Sequence, residues 1–255
     1  MNLILLQPED FPEGGERAVL RDERAAHIIG VLGAGPGKRL RIGLPDGPLG
    51  EGEVVAVRPP EVVLACSFSG SAPPRPPFDL VLAMPRPKVM KRLWSRLAEL
   101  GTDRIFIVNA ARVEKYYFAS HVLEPAFVRR RLIEGLQQAV CTRLPEVFVR
   151  PRFRPFVEDE VPERFTGSLK LLADPAAETR IGEVVREADP LPRRAVIAVG
   201  PEGGWTDFER ALWREQGFRP VSLGRRVLRT DTACTALLAV LRDRMEERWS
   251  DEKVD

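Results

Sequence analysis

Histidine and cysteine are scarce in this sequence. The chain of 255 residues has only two histidines, His27 and His121, which excludes a mechanism that needs several imidazoles. Its three cysteines, Cys66, Cys141 and Cys234, are odd in number and far apart. This arrangement fits neither a disulfide framework nor zinc-ligand spacing, so no metal site is predicted. We interpret the cysteines as reduced thiols of the core.

The sequence also has no segment that resembles a membrane span or an export signal. No run of about 18 apolar residues is present, as a spanning helix would require. The amino terminus, MNLILLQPEDFPEGGER, has neither a basic segment nor a small-residue cleavage site. We therefore expect a soluble cytoplasmic protein with no membrane partner. A hydrophobic content of 44% is enough for a substantial core.

Basic residues are clustered, although the formal net charge is only +2. One cluster lies within residues 86–96, a second is the arginine run 129–131, and a third alternates along 150–154. Clusters of this kind are typical of proteins that contact nucleic-acid phosphates. Each cluster taken alone is equally compatible with a solvated surface in an arginine-rich protein.

The proline-rich segment SAPPRPP, residues 71–77, interrupts the chain because it can continue neither a helix nor a central strand. We predict a domain boundary here, with one domain over residues 1–72 and another over residues 73–255. Before the boundary, short apolar runs such as RLRIGL and EVVLACSF are separated by Gly, Pro and Asp. They predict a small all-β module, for which a barrel would bury the strand edges.

After the boundary, apolar strands alternate with amphipathic helices. FDLVLAM precedes the helical pattern KVMKRLWSRLAELG, a helix is predicted from Glu124 to Arg143, and DTACTALLAVLRDRMEERW closes the chain as a helix. Five or six such units predict an α/β fold with an open, mostly parallel sheet. Ligands of such sheets bind beyond the carboxyl ends of the strands.

Three segments near the end of the chain could bring the backbone close to a ligand. GPEGG, from Gly200 to Gly204, follows the strand RAVIAVG; Leu223 and Gly224 follow RPVS; and VLRTDTA, residues 227–233, leads into the last helix. Glycine permits the close approach of a backbone to a ligand or to another backbone. Taken singly, each segment could instead be an ordinary turn, strand end or helix cap.

Together, the strings IAVGPEGGWTDFE and GFRPVSLGRRVLRTDTA resemble the carboxy-terminal signature of the ribosomal RNA uridine N3-methyltransferase family of the SPOUT superfamily. Upstream, LAELGTDRIFIVNAARVEK, GLQQAVCTRLPEVFV and DERAAHIIGVLGAGPGKRLRIG are similar to this family as well. The resemblance implies a SPOUT-type parallel sheet whose carboxy-terminal segments form a trefoil knot. It also implies a small amino-terminal PUA-like β-barrel that binds RNA.

The chain departs from the family pattern at three places. Gly33 stands where an arginine is usual, and Asp231 stands where glutamate is commoner. The segment AARVEKYYFASHVLEPAF looks like an insertion. These departures affect the details of substrate recognition more than the type of reaction.

The resemblance implies S-adenosylmethionine as the cofactor and methylation of N3 of a specific uridine in small-subunit (16S) ribosomal RNA. It also implies a homodimer, and we expect the RNA within the assembled subunit to be the substrate. We expect the cofactor to be bound by the three segments and by a weaker adjacent loop. These residues are Leu172, Ala173, Asp174, Gly200, Glu202, Gly203, Leu223, Gly224, Val227, Leu228, Thr232 and Ala233.

Methylation at N3 removes an imide proton and places negative charge on the ring oxygens, which a fixed guanidinium can stabilise. We expect Arg229 and Glu202 to be the catalytic residues, with Glu202 or Asp231 as the proton acceptor. Glu202 could instead face solvent and favour the start of the following helix. The expected RNA contacts are Lys88, Lys91, Arg92, Arg112, Gln138 and Arg143.

Other classes of protein compete with this interpretation. A nucleotide-binding oxidoreductase would be expected to carry G-x-G-x-x-G after an early strand and an acidic residue about 20 positions later, and the sequence has neither. A non-enzymatic RNA-binding ribosome assembly factor is the stronger alternative, because PUA-like barrels bind RNA without chemistry. A SPOUT methyltransferase that acts on another RNA position is a third possibility.

Overall fold

The computed structural model describes residues 2–12 and 15–251, which form two compact units. The first unit joins Met1–Arg75 to Arg130–Leu144, and the second joins Pro76–Arg129 to Pro145–Asp255. The domains predicted over 1–72 and 73–255 stay predictions. Each unit has its own sheet.

The first unit contains a mixed sheet of five strands in the order β1-β3-β4-β5-β2. Only the β1–β3 pair is parallel. The strands are β1 (Ile4–Leu5), β2 (Arg17–Leu20), β3 (Arg39–Gly43), β4 (Leu49–Arg58) and β5 (Glu61–Phe68). A register shift between Val54 and Ala56 interrupts the β4–β5 ladder. Such a bulge bends a strand and increases its twist.

A helix, α1 (Glu23–Gly30), packs its buried Ala25 and Ile28 into the core of this sheet. The expectation of an all-β module is therefore wrong. The helix begins after Asp22, whose side chain accepts a hydrogen bond from the backbone N–H of Arg24. Such a cap satisfies one of the amide groups that a helix start leaves unpaired.

The Arg24 guanidinium is buried and ties α1 to the start of the chain. It donates to both carboxylate oxygens of Asp10, each at 2.7 Å, and to the carbonyl of Leu5 at 2.8 Å. Burial raises the pKa of the Asp22 carboxyl, but hydrogen bonds from Arg24 outweigh this effect and leave the pKa below its usual value. The Asp22–Arg24 interaction therefore contributes stability at neutral pH and loses it as pH falls through that lowered pKa.

The second unit contains a wholly parallel sheet of six strands in the order β11-β9-β10-β6-β7-β8. The strands are β6 (Phe78–Ala83), β7 (Thr102–Val108), β8 (Glu146–Arg150), β9 (Leu169–Ala173), β10 (Ala195–Val199) and β11 (Arg219–Val221). Every residue of the central strands β6 and β10 is buried, as is typical of a parallel sheet covered on both faces. The predicted α/β class is confirmed.

Helices follow each of these strands, as the alternation of strand and helix predicts, but the two short helices between β8 and β9 were not predicted. The helices are α2 (Pro87–Glu99), α3 (Pro125–Ala139), α4 (Phe153–Pro155), α5 (Val161–Arg164), α6 (Ile181–Glu187), α7 (Asp207–Glu215) and α8 (Thr230–Asp251). The helix predicted to reach Arg143 ends at Ala139, because Val140 adopts a φ of 55° that helical backbone does not permit. Within the described ranges, no helix has both the length and the apolar composition needed to cross a membrane.

A buried carboxylate joins three central strands near their amino ends. Arg104 on β7 donates to both oxygens of Asp79 on β6, at 3.0 and 2.5 Å. Arg194, which precedes β10, donates to Asp79 at 2.9 Å and to Asp103 at 2.7 Å. The Asp79 side chain has no exposed surface, so its charge depends on these two guanidinium groups.

Replacement of Asp79 by alanine is expected to lower the free energy of unfolding by about 3 kcal/mol, because two partly buried guanidinium groups lose the carboxylate that they share. Urea denaturation measures this loss. Asp243→Ala is the control, since this exposed carboxylate lies 3.8 Å from Arg244 on the surface of α8. The control should change stability by less than about 0.5 kcal/mol. Equal losses for the two variants would contradict the assignment.

Candidate active site

A cleft of about 790 Å³ lies at the carboxyl ends of β9 and β10. Its wall includes residues that follow these strands, Arg86 at the start of α2, and the segment 227–231 that leads into α8. This is the edge at which open parallel sheets bind ligands, and the volume is typical of small-molecule sites.

Most of the residues predicted to bind a cofactor meet in this cleft. Eight of them line it: Ala173, Asp174, Gly200, Glu202, Gly203, Val227, Leu228 and Ala233. Leu223 and Gly224 line a smaller hollow of about 60 Å³ that shares several wall residues with the cleft. Leu172 is buried within β9 and Thr232 is exposed on α8, so the structure brings neither side chain to the cleft wall.

The turn after β10 is shaped by a tryptophan that folds back beneath it. A Cβ atom on Gly200 would lie 3.1–3.2 Å from atoms of the Trp205 indole, so glycine permits this packing. Trp205 is 3% exposed and packs against Phe153 and Trp213, with ring centroids 5.7 Å apart in both pairs. Its indole Nε1 is buried, and among the described residues it has no hydrogen-bond partner.

Two polar contacts hold the outer side of the same turn. The Glu202 carboxylate accepts a hydrogen bond from the backbone N–H of Arg86 at 3.1 Å. The Arg112 guanidinium donates to the carbonyl of Gly203. A Cβ atom on Gly203 would lie 3.0 Å from Cδ of Arg112, which explains the glycine. At Gly224 the reason is different: the space around it is open, but its φ of +107° strongly favours glycine.

Glu209 is a structural carboxylate that the sequence analysis missed. It is 3% exposed and accepts hydrogen bonds from the backbone N–H of Thr206 at 2.8 Å, the Thr206 hydroxyl at 2.9 Å and the backbone N–H of Ala111 at 2.7 Å. The spacing Thr206-x-x-Glu209 is a capping box and could have been recognised. The bond to Ala111, which links α7 to the segment after β7, has no local signal.

The predicted catalytic residues Arg229 and Glu202 both line the cleft and both are exposed. Asp231 also lines the cleft, but its carboxylate lies 3.3 Å from the Arg92 guanidinium and 3.7 Å from that of Arg96. Its side chain is only 15% exposed. The Asp231 charge therefore links the start of α8 to α2.

The residues predicted to contact RNA are divided between the two units. Arg92 lines the cleft, Arg112 lies against the turn after β10, and Lys88 and Lys91 are exposed on α2. Gln138 and Arg143 belong to the first unit. There the backbone carbonyl of Gln138 accepts a hydrogen bond from the Asn2 side chain, and Arg143 donates to the carbonyl of Pro73. All six RNA contacts stay predictions.

Comparison with known proteins identifies the class to which this fold and cleft belong. Residues 73–242 match the model of a family described as the RNA methyltransferase domain. The chain is 31% identical to the ribosomal RNA small subunit methyltransferase E of Treponema pallidum over 94% of its own length and 90% of that protein. It is 28% identical to ribosomal RNA small subunit methyltransferase E 1 of Borreliella burgdorferi, over 92% of its own length and 95% of that protein. The chain belongs to the ribosomal RNA small subunit methyltransferase E family.

Solved structures agree with this membership. A methyltransferase structure from Legionella pneumophila in complex with the cofactor SAM has 25% identity and a TM-score of 0.73, with 95% of this chain and 97% of that chain covered. A ribosomal RNA small subunit methyltransferase E from Neisseria gonorrhoeae, bound to S-adenosyl methionine, shares the fold at 21% identity and a TM-score of 0.74, with the same coverage. The predicted family and the predicted RNA methyltransferase class are confirmed.

Replacement of Gly200 by alanine is expected to displace the Trp205 indole and lower the free energy of unfolding by about 1–3 kcal/mol, because a packed aromatic cluster resists an added methyl group. Denaturant titration measures the loss, and near-UV circular dichroism follows the indole. Gly182→Ala on α6 is the control, since its Cβ would meet only ordinary contacts at 3.8 Å or more. This control should leave stability unchanged or raise it. A neutral Gly200→Ala would show that the indole is free to move.

Proposed function

We propose that this RNA methyltransferase transfers the methyl group of S-adenosylmethionine to N3 of a specific uridine in small-subunit (16S) ribosomal RNA. The observation that carries the proposal is the convergence of GPEGG and VLRTDTA in one cleft, beside the hollow that Leu223 and Gly224 line, in a chain of this family. The names of the relatives support ribosomal RNA of the small subunit as the substrate. The N3 position rests on the resemblance of IAVGPEGGWTDFE and GFRPVSLGRRVLRTDTA to the uridine N3-methyltransferases.

The cleft fits S-adenosylmethionine, which supplies an electrophilic methyl group when it is bound. Val199, Pro201 and Leu228 give the cleft an apolar wall. Asp174 and Arg210 also line the cleft, with 4.0 Å between their charged groups. Opposite charges suit the ammonium and carboxylate groups of an amino-acid tail. Related structures that hold this cofactor support the assignment.

Arg229 is the residue proposed to stabilise the reacting uracil. Its exposed side chain lines the cleft on the segment between β11 and α8. A guanidinium presents parallel donors in a fixed plane and can bond the ring oxygens as their negative charge increases.

Glu202 is the proposed acceptor of the N3 proton. One oxygen of its carboxylate accepts a hydrogen bond from the backbone N–H of Arg86, and the side chain remains exposed at the cleft wall. Asp231 is less suited to this role, because it is largely buried between Arg92 and Arg96. The proton would thus pass to the Glu202 carboxylate as the new N–CH₃ bond forms.

The other parts of the proposal concern RNA binding and assembly. Phosphate contacts by Lys88, Lys91 and Arg92, with Arg112, Gln138 and Arg143 nearer the base, would supply affinity and register. The mixed sheet of the first unit would act as the PUA-like barrel. The segments after β10 and β11, with α8, would form the trefoil knot of a homodimer that acts on the assembled subunit in the cytoplasm.

Arg229→Ala is expected to lower the single-turnover rate of methyl transfer by about 100-fold or more, because it removes a donor to charge that develops in the transition state. The affinity for S-adenosylmethionine, measured by calorimetry, should change far less. Arg229→Lys should recover part of the rate, since a point charge cannot span two oxygens. Arg225→Ala, an exposed arginine of the same segment, serves as control at saturating substrate. A near-normal rate in Arg229→Ala would exclude the proposed role.

Cells that lack the gene are expected to lose a single 3-methyluridine from small-subunit ribosomal RNA. Mass-spectrometric mapping of that RNA, with and without a plasmid copy of the gene, measures the change. The purified protein should then restore the same modification to small subunits from the deletion strain. Loss of a methyl group from another nucleotide would keep the enzyme class and refute the N3 assignment.

A further inference from the structure

The two tyrosines of this chain are neighbours beside the cleft. Tyr116 and Tyr117 lie in the short 3₁₀ helix Lys115–Ala119, within the insertion-like segment that follows β7. Their rings meet edge to face, with centroids 4.8 Å apart and planes at 83°. Tyr116 is 68% exposed, so one ring supports another that faces solvent.

The segment that carries this pair contacts the wall of the cleft. Shortly before it along the chain, the Arg112 guanidinium bonds the Gly203 carbonyl of the cleft wall. Tyr117 itself interacts electrostatically with Arg86 and Glu202, and both of these residues line the cleft. Burial, and then the hydrogen bond to Tyr116, raise the pKa of Tyr117. The Tyr117 phenol is therefore neutral at physiological pH and adds no negative charge beside the cleft.

The backbone that carries the pair is fixed at both ends. Before it, the backbone N–H of Ala111 bonds the buried Glu209 carboxylate at 2.7 Å. After it, the Trp94 indole donates to the carbonyl of Val122 at 2.9 Å, and the Val122 side chain is buried. Tyr116 thus presents an exposed aromatic face from an anchored segment. A preordered ring loses little conformational entropy when a ligand stacks on it.

We propose that Tyr116, supported by Tyr117, is a stacking platform for an unpaired base of the RNA strand that enters the cleft. Proteins that bind single-stranded RNA stack its bases on exposed aromatic rings and hold its phosphates with basic side chains. Exposed Lys115 directly precedes the pair, exposed Arg112 lies four positions earlier, and the charge of Arg86 acts on Tyr117, so positive charge is at hand. The same basic surroundings favour RNA over an apolar protein surface. This inference rests on the proposed function, because it assigns a contact to the same substrate.

The test compares Tyr116→Ala and Tyr116→Phe in the full chain, with the affinity for purified small-subunit ribosomal RNA measured by filter binding. Tyr116→Ala should weaken RNA binding roughly tenfold, as expected for the loss of one stacked base. Tyr116→Phe keeps the ring and should bind within about twofold of the wild type, since its π-face is preserved. Cofactor affinity should be unchanged in both variants. Phe208→Ala removes another exposed aromatic side chain, on α7 and outside the segment of the tyrosine pair, and is the matched control.

Each other outcome has a defined meaning. If Tyr116→Ala binds RNA as tightly as Phe208→Ala does, the platform is refuted. A change in the sedimentation coefficient of Tyr116→Ala, with equal RNA affinity per protomer, also refutes it and assigns the pair to contacts between copies of the chain. If the wild type transfers no methyl group but Tyr116→Ala still weakens RNA binding, the proposed function fails while the platform stands.

Discussion

The parallel direction of all six strands in the second unit is the constraint on which its site depends. Because no strand runs the other way, the segments that follow β9, β10 and β11 emerge at one edge of the sheet, although they are far apart in the chain. Residues that directly follow these strands can therefore contact one another. The cleft is a product of this alignment, and its wall is formed by those turns rather than by the strands themselves.

The two edges of that sheet are stabilised in different ways. At the amino ends of the strands, Arg104 and Arg194 donate hydrogen bonds to the Asp79 carboxylate and so connect neighbouring strands. At the carboxyl ends, a glycine permits the Trp205 indole to lie beneath the turn, and Glu209 holds the next helix to the segment after β7. The exposed side chains of Glu202 and Arg229 at this edge are available for binding.

The sequence predicted the sheet well because buried parallel strands are continuous apolar runs with clear ends. The sequence also predicted part of the cleft wall, since eight of the twelve predicted cofactor residues line the cleft. It missed the end of α3, which depends on the backbone conformation of Val140, and the helix α1, whose apolar positions are few. The arginine partners of Asp231 were also missed, because no local pattern reports a contact across more than a hundred residues. The fold class was predicted from the alternation of strands and helices, whereas the proposed site of methylation, N3 of uridine, rests on the family resemblance.

The first unit is built from two segments that are far apart in the chain. Its sheet lies within the first 75 residues, but the same unit includes Arg130–Leu144. The carbonyl of Gln137 accepts a hydrogen bond from the backbone N–H of Leu3 at 3.0 Å, and the Thr142 hydroxyl donates to Gly47 at 2.7 Å. Residues 130–144 must therefore be translated before the strands of the first unit have all their partners. Pro76–Arg129 of the second unit are made before that point, so the second unit is begun while the first is still incomplete.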